Sequence, residues 1–213
     1  VNGIPNTAGE QTIPEGAQLG LGTRLAAIRN VHMQGPLSAT NNRLDTALNG
    51  EGWFMITGPD GETLYARDGA FNTNENGQIV TMDGYAVQPA MTVPANTVDI
   101  KINQSGEVYA TISGQTAPTL LGQLNLANFP NSTGLEHMGG NMFRETPSSG
   151  SATTGVAQTP GFGKIIQGYL EESNVDPVKE MTDLIQAQRA YEINSKVIQA
   201  ADDMAGTVSK GLR

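Results

Sequence analysis

The C-terminal segment, residues 173–213, constrains the fold of this chain more than any other feature, because its apolar residues repeat at helical spacing. Asp176 precedes Pro177, and this pair predicts a helix start, since an Asp side chain can accept a free backbone N–H and proline has the φ angle of a first helical turn. From Leu184 onward the apolar positions alternate in steps of 3 and 4, the heptad spacing by which one helix packs along another. We therefore predict one long C-terminal helix.

Two lines of residues on this helix form a predicted assembly interface. The first seam has Asn194 as its polar member and comprises Leu184, Ala187, Tyr191, Asn194, Ile198, Ala201, Ala205, Val208 and Leu212. The second seam runs beside it and comprises Ala190, Ile193, Val197, Ala200 and Met204. From this seam we assign Ile193, Val197 and Met204 to the interface. Because the two seams are wider than one partner helix needs, we expect contacts with more than one neighbour.

An amphipathic helix can also pack on the core of its own domain, and this alternative stays open. Three features favour an assembly role instead. The helix is long, it carries a double seam, and it ends a chain whose other segments have the patterns of strands and turns. On the remaining face Glu192 and Lys196 are spaced as a favourable i,i+4 ion pair, which indicates exposure to water.

Two sequence blocks resemble a known protein family. The run from Ser173 to Met204, with its core AQRAYEINSK, closely resembles the C-terminal signature of the bacterial flagellar rod and hook axial proteins, and it is most similar to the distal-rod members. The block QGPLSATNNRLDTALNGEGWFMITGPDGETLYARDGAF, residues 34–71, resembles a second segment of the same family. With scattered agreement between Gln78 and Gly168, the resemblance covers nearly the whole chain.

The resemblance implies a structural subunit of a helical homopolymer. In this family two terminal helices pair to form the inner layer of a hollow tube, and the distal rod is a drive shaft that transmits motor torque across the periplasm to the hook. The implied neighbours are copies of the chain itself, proximal rod proteins, the hook protein and the outer ring proteins around the rod. The implied location is the periplasmic rod of the flagellar basal body, reached through type III export without a cleaved signal peptide.

One departure from the family pattern concerns the N-terminus. Family members begin with a helix that carries an Asn-rich motif, and nothing like it precedes Val1. We therefore expect this chain to be a fragment or processed form that lacks the helix.

Composition narrows the function classes further. The net charge of −9, without any basic run, argues against nucleic acid, which is bound by clustered Lys and Arg. No apolar stretch approaches the roughly 20 residues that span a bilayer, so we expect no direct membrane insertion. The absence of cysteine excludes disulfides and thiol chemistry.

The rest of the chain predicts a mainly β fold. With 26 Gly and 11 Pro, it is typical of a turn-rich antiparallel β domain, a small barrel or sandwich, joined to the helix. We divide the chain into an extended connection, a β domain, a Ser/Thr/Gly/Pro-rich return segment and the coiled-coil-type helix, at residues 1–22, 23–147, 148–172 and 173–213. The predicted strand segments are Thr23–Met33 (a short strand pair or edge strand), Trp53–Thr57, Thr63–Arg67, Gln78–Thr81, the half-buried alternation Val98–Ile102, a partner containing Val108 and Ile112, and Leu120–Phe129; Ser148–Gly163 is predicted as a loop.

No residue set predicts a metal, cofactor or catalytic site. Asn72, Asn74, Asn76 and Asp83 imitate the spacing of a calcium loop, but the neutral amides fit a hairpin turn better. His32 and His137 have no ligand partner at zinc spacing.

Two alternative functions stay open. One is another flagellar axial role, as a hook or proximal-rod subunit. The other is a hydrolase of cell-wall glycan, which would need catalytic carboxylates such as Asp60, Asp68 and Asp83; each of these is better explained by its turn.

Overall fold

The structure, a computed structural model, describes residues 4–5, 12–13 and 30–211 and divides into two units, residues 1–31 and 32–213. In the first unit, strand β1 (Ile4–Pro5) pairs antiparallel with β2 (Thr12–Ile13). The connection predicted over residues 1–22 therefore includes a short strand pairing, and the rest of it lies outside the described residues. The domain boundaries stay predictions.

The strand or strand pair predicted over Thr23–Met33 falls mostly outside the described residues. Its last four positions are described and are irregular, so no strand forms in that part of it.

The second unit consists of short strands followed by one long helix, α1 (Pro177–Gly211). Its strands, together called the β body here, are β3 (Leu37–Ala39), β4 (Thr46–Asn49), β5 (Trp53–Thr57), β6 (Thr63–Ala66), β7 (Phe71–Thr73), β8 (Ile79–Thr81), β9 (Thr97–Ile102), β10 (Glu107–Ile112), β11 (Thr119–Gln123), β12 (Asn125–Asn128), β13 (Glu136–Gly139), β14 (Met142–Arg144), β15 (Thr153–Val156), β16 (Lys164–Gln167) and β17 (Tyr169–Glu171). A single turn of 3₁₀ helix, Ser132–Gly134, precedes β13. No helix in the described ranges is long and apolar enough to cross a membrane.

A six-stranded antiparallel sheet forms the centre of the β body, in the order β13-β14-β6-β5-β12-β15. Both of its faces are covered. Successive side chains of a strand point to opposite faces, and so Phe54 and Leu126 enter one hydrophobic core while Trp53, Tyr65 and Ala127 enter a second. The apolar run of β5 is therefore explained by burial on two sides.

Smaller sheets complete the β body. β9, β10 and β11 form a three-stranded sheet in the order β11-β10-β9, and the two-stranded ladders are β16-β4, β17-β3 and β7-β8. The prediction of an antiparallel β domain with a long C-terminal helix is confirmed, because every strand pair within residues 32–211 is antiparallel. The sheets stay open, so the barrel alternative is wrong.

Local turn signals predicted the hairpins well. β5 and β6 form the hairpin expected around Gly58-Pro59-Asp60-Gly61, where the N–H of Gly61 donates to the carbonyl oxygen of Gly58 over 3.1 Å. Gly61 has a φ of +79°, a conformation that glycine adopts without steric cost.

Three further predictions differ from the structure. The predicted loop Ser148–Gly163 contains β15, which pairs with β12, because β-branched Thr153 and Thr154 suit an edge strand even in a Ser/Gly-rich stretch. The predicted strand Leu120–Phe129 divides into β11 and β12 at Leu124, whose N–H bonds to the carbonyl oxygen of Gly106 as the chain changes sheets. Val98, predicted on the buried face of β9, is exposed.

Candidate functional site

The predicted start of the terminal helix is confirmed. The side-chain oxygen Oδ1 of Asp176 accepts the N–H of Val178 over 2.9 Å and that of Lys179 over 3.3 Å. These are two of the N–H groups that have no partner within the helix, and Pro177 adds none. Asp176 is therefore the N-cap of α1.

Helix α1 carries its apolar side chains in solvent. Between Pro177 and Ala201 every residue is exposed except Ser195, which is half-buried. Tyr191 is 78% exposed and Ile198 63%. In the described residues the helix therefore does not pack on the β body, and the alternative in which it docks on its own domain is not supported.

The predicted interface residues share this exposure as far as they are described. Exposed members of the two seams are Leu184, Ala187, Ala190, Tyr191, Ile193, Asn194, Val197, Ile198, Ala200, Ala201 and Met204. Ala205 and Val208 lie within α1, and Leu212 lies outside the described residues. At about 100° per residue, the two seams cover roughly half of the helix circumference. The helix thus brings these residues onto one broad face, and their role as an interface stays a prediction.

Two paired chain segments form the base of α1, and we call them the stem: residues 33–39, which contain β3, and residues 169–174, which contain β17. From here on, the β body means the remaining strands, β4 to β16. They pair antiparallel, with Leu37 opposite Glu171. The pairing continues toward the helix, since the N–H of Glu172 donates to the carbonyl oxygen of Pro36 over 2.9 Å. Two residues further along the chain, the side-chain amide of Asn174 donates to the carbonyl oxygen of Met33 over 3.0 Å.

The stem is tightly packed at Gly35. A Cβ atom at this position would overlap the carbonyl oxygen of Glu172, so the two segments approach this closely only because Gly35 has no side chain. The side chain of Gln34 anchors the same segment to the β body by donating to the carbonyl oxygen of Leu48 and accepting the N–H of Gly50. Helix α1 therefore begins just after a segment that is hydrogen-bonded to its partner segment, which in turn is bonded to the β body.

An aromatic cluster lies at the beginning of this segment. The ring of His32 makes edge-to-face contacts with Trp53 and Phe143, at centroid separations of 5.1 and 5.2 Å. Its Nε2 atom is buried without a hydrogen-bond partner in the described part of the chain. Burial, and secondarily the positive charge of Arg67, lowers the pKa of His32 below its ordinary value of 6.5.

In the motifs that imitate chemical sites, the side-chain oxygens accept backbone N–H groups and so stabilise turns. Oδ1 of Asn74 accepts the N–H groups of Asn76 and Gln78, at 3.0 and 2.9 Å, which closes the turn between β7 and β8. The hairpin interpretation of this Asn-rich stretch is confirmed. Asp68 bonds the N–H of Ala70 in a similar way.

The remaining carboxylates considered for hydrolysis, Asp60 and Asp83, are exposed, as Asp68 is. Asp60 and Asp83 stand at turns, and Asp68 accepts the N–H of Ala70 in its own segment.

Sequence patterns missed one feature of the stem. Arg67, at the end of β6, forms an ion pair with Glu171 in β17, with 2.8 Å between Nε and Oε2. The two residues are separated by 104 positions, and neither belongs to a periodic motif. No local signal in the sequence could have paired them.

Comparison with protein families gives two matches within the chain. Residues 47–110 match the family model of the flagellar hook protein FlgE/F/G D1 domain, and residues 166–210 match that of the flagellar basal body rod FlgEFG protein C-terminal region. The first range covers strands of the β body and the second covers the end of the stem with α1.

Whole-chain relatives agree with these matches. The flagellar basal-body rod protein FlgG of Agrobacterium fabrum is 52% identical over 213 residues, which is 100% of this chain and 81% of the relative. FlgG of Caulobacter vibrioides is 47% identical, over 98% of this chain and 79% of the relative. The flagellar hook protein FlgE of Escherichia coli is 39% identical over 64% of this chain and 32% of the relative. An exposed terminal helix on an antiparallel β body, two family matches and relatives of this identity lead to one conclusion: the chain belongs to the FlgG family of flagellar basal-body rod proteins.

Proposed function

We infer that this chain is a structural subunit of the flagellar distal rod, which polymerises helically into the shaft that transmits motor torque across the periplasm to the hook. The observation that carries this inference is the exposed double seam of α1 in a chain of the FlgG family. A helix with so wide an apolar face in solvent gains stability only when other chains cover it.

The energetics of the seam favour association of copies. Burying a Leu or Ile side chain contributes roughly 1.5–3 kcal/mol, so a few residues such as Leu184 and Ile198 supply a substantial driving force. Contacts between unlike surfaces of identical subunits produce a helical filament when the rotation between neighbours does not close into a ring. A face about half the circumference wide can serve two neighbouring helices at once.

The neighbours and location of the subunit belong to the same proposal. Other copies of the chain are the main partners, proximal rod proteins and the hook protein adjoin the two ends of the polymer, and the outer ring proteins surround it. The subunit lies in the periplasmic part of the basal body and is exported without a cleaved signal peptide. The proposal assigns it no nucleic acid, no membrane insertion, no cofactor and no catalytic residue.

A hook or other rod subunit is the second candidate. It is favoured by the 39% identity with the hook protein FlgE of Escherichia coli. Cross-linking in isolated basal bodies distinguishes the two roles, because a distal-rod subunit links to the outer rings and a hook subunit does not.

The test places a charge in the seam and compares it with the same charge outside the seam. Ile198→Asp should reduce the number of completed distal rods at least about tenfold, since it removes an apolar contact worth roughly 1.5–3 kcal/mol and introduces a carboxylate where helices meet. The matched control is Gln199→Asp, because Gln199 is the next residue in the sequence and lies on the polar face of the helix. Both variants are expressed in cells that lack their own distal-rod subunit, and rods are counted by electron microscopy of basal bodies.

Thermal unfolding of the purified variants shows whether the β body stays folded, as we expect for both. Normal rods in the Ile198→Asp strain would contradict the proposed interface. Equal loss of rods in the Gln199→Asp strain would contradict its restriction to the apolar face.

A further inference from the structure

We propose that Arg67 and Glu171 form a clasp that fixes the direction in which α1 leaves the β body, so that load on the helix reaches the body without a hinge. The mechanical role rests on the proposed function; the clasp itself follows from the geometry of the stem.

The guanidinium of Arg67 joins three segments. Its Nε donates to Oε2 of Glu171 over 2.8 Å. Its Nη1 donates to the carbonyl oxygen of Gly52 over 2.8 Å, and its Nη2 donates to that of Gly50 over 2.7 Å. Three donors in one rigid plane therefore hold the β4–β5 turn, the end of β6 and the exit strand β17 in fixed relative positions.

The carboxylate of Glu171 extends the clasp to the incoming segment of the stem. Its second oxygen, Oε1, accepts the N–H of Gly35 over 2.9 Å. Both segments of the stem are thus bonded to one charged pair. The side chain of Gln34 bonds only the incoming segment to the body, at Leu48 and Gly50, whereas the charged pair bonds both segments. The direction of the stem relative to the body therefore depends on this pair, because a strand pair held on one side alone can bend and twist.

Burial distinguishes the clasp from an ordinary surface ion pair. The side chains of Arg67 and Glu171 are 23% and 11% exposed. In the pair Arg144 and Glu136, whose closest atoms are 2.7 Å apart, the side chains are 40% and 51% exposed. An exposed pair contributes little to structure, whereas a largely buried pair has strict geometry and leaves an uncompensated charge when one partner is removed.

The helix has no other described support. From Pro177 to Ala201 none of its side chains is buried on the body, so within the described residues the stem alone determines its direction. Beyond the clasp, the bonds from Glu172 to Pro36 and from Asn174 to Met33 carry that direction to the N-cap of α1.

The test measures the spread of helix directions in the purified chain. The chain has 0 Cys, so Lys101→Cys in β9 and Glu192→Cys on the polar face of α1 provide two unique spin-label sites. Double electron–electron resonance then gives the distribution of label distances. We expect a narrow distribution with the native pair, and a distribution at least about twofold wider after Arg67→Lys or Glu171→Gln, because neither variant keeps the charged, forked geometry.

The matched controls are Arg144→Lys and Glu136→Gln, which make the same chemical changes in the exposed pair and should leave the width unchanged. Glu171→Gln keeps the volume of the side chain and an oxygen for the N–H of Gly35, so the body is expected to stay folded; circular dichroism verifies this for each variant. A broad distribution in the native chain, or native width in both clasp variants, would overturn the proposal.

This measurement needs no assembly, so it is independent of the rod test. Failure of the unchanged chain to form rods in cells that lack their own distal-rod subunit would reject the proposed function and leave the clasp in place, whereas normal rods with Ile198→Asp would reject only the seam as the interface. Native label distances with Arg67→Lys and Glu171→Gln would reject the clasp and leave the distal-rod assignment in place.

Discussion

His32 is an ionisable residue in an apolar setting. Its ring packs edge-on against Trp53 and Phe143, and its Nε2 atom has no partner in the described part of the chain. Burial makes the charged imidazolium unfavourable, and the guanidinium of Arg67 adds repulsion, so the pKa of His32 in the folded chain is lower than in the unfolded chain.

This difference predicts a pH dependence of stability. The unfolded chain, with a His pKa of about 6.5, binds the proton first as the pH falls, so the free energy of unfolding is highest above about pH 6.5 and decreases as the pH falls through the folded pKa. His32→Phe should remove this contribution and flatten the pH dependence between about pH 7 and 5. Urea unfolding of both proteins across that range measures it, and parallel curves would contradict the prediction.

Helix α1 shows how one residue controls the end of an element. Asp176 accepts two backbone N–H groups and places a negative charge at the positive end of the helix dipole. Because the helix has no described contact with the body, the cap and the stem are its local sources of order.

Removal of the Asp176 cap should therefore destabilise the first turn of α1 measurably, because no described contact with the body holds that turn in place. Asp176→Ala is expected to destabilise the first turn by about 1 kcal/mol, whereas Asp176→Asn keeps an accepting oxygen and should cost much less. Hydrogen exchange of the Val178 and Lys179 amides measures the difference. Equal exchange in the two variants would mean that the side-chain oxygen does not hold the helix start.

The central strands of the six-stranded sheet are stabilised by burial on both of its faces. Phe54 and Trp53 are neighbours in β5, yet they enter different cores. Strand β15 contributes to this burial, because it pairs with β12, whose Leu126 and Ala127 are fully buried.

At the scale of the whole molecule, the described residues couple the body and the helix through the stem and not through a shared core. A chain that ends at Val175 should therefore unfold within about 2 °C of the full chain, since it removes no buried side chain of the described residues. A chain that ends at Gly163 is the contrasting variant. It removes β16, where Ile165 is 1% exposed, and we expect it not to fold.

Calorimetry of the three chains measures this prediction. A large decrease in the unfolding temperature of the chain that ends at Val175 would show that α1 stabilises the body in solution.

Local chemistry in the sequence was sufficient for the helix and the tight turns. The Asp176-Pro177 pair predicted the first residue of α1, and the heptad spacing from Leu184 predicted its length and its apolar face. The hairpin around Gly58–Gly61 followed from turn residues between two β-rich runs. Each of these features depends on neighbours within a few positions, which a linear pattern records directly.

Contacts between distant residues set the rest. The open arrangement of the sheets, the pairing of β15 with β12 and the exposure of Val98 depend on which strands meet, and a period of two does not specify that. The clasp of Arg67 and Glu171 is the clearest case, because its residues lie 104 positions apart and only the folded body brings their charges to 2.8 Å. Sequence periodicity and turn residues thus determine the helix and the tight hairpins, whereas the geometry that joins the helix to the body arises from packing across the whole chain.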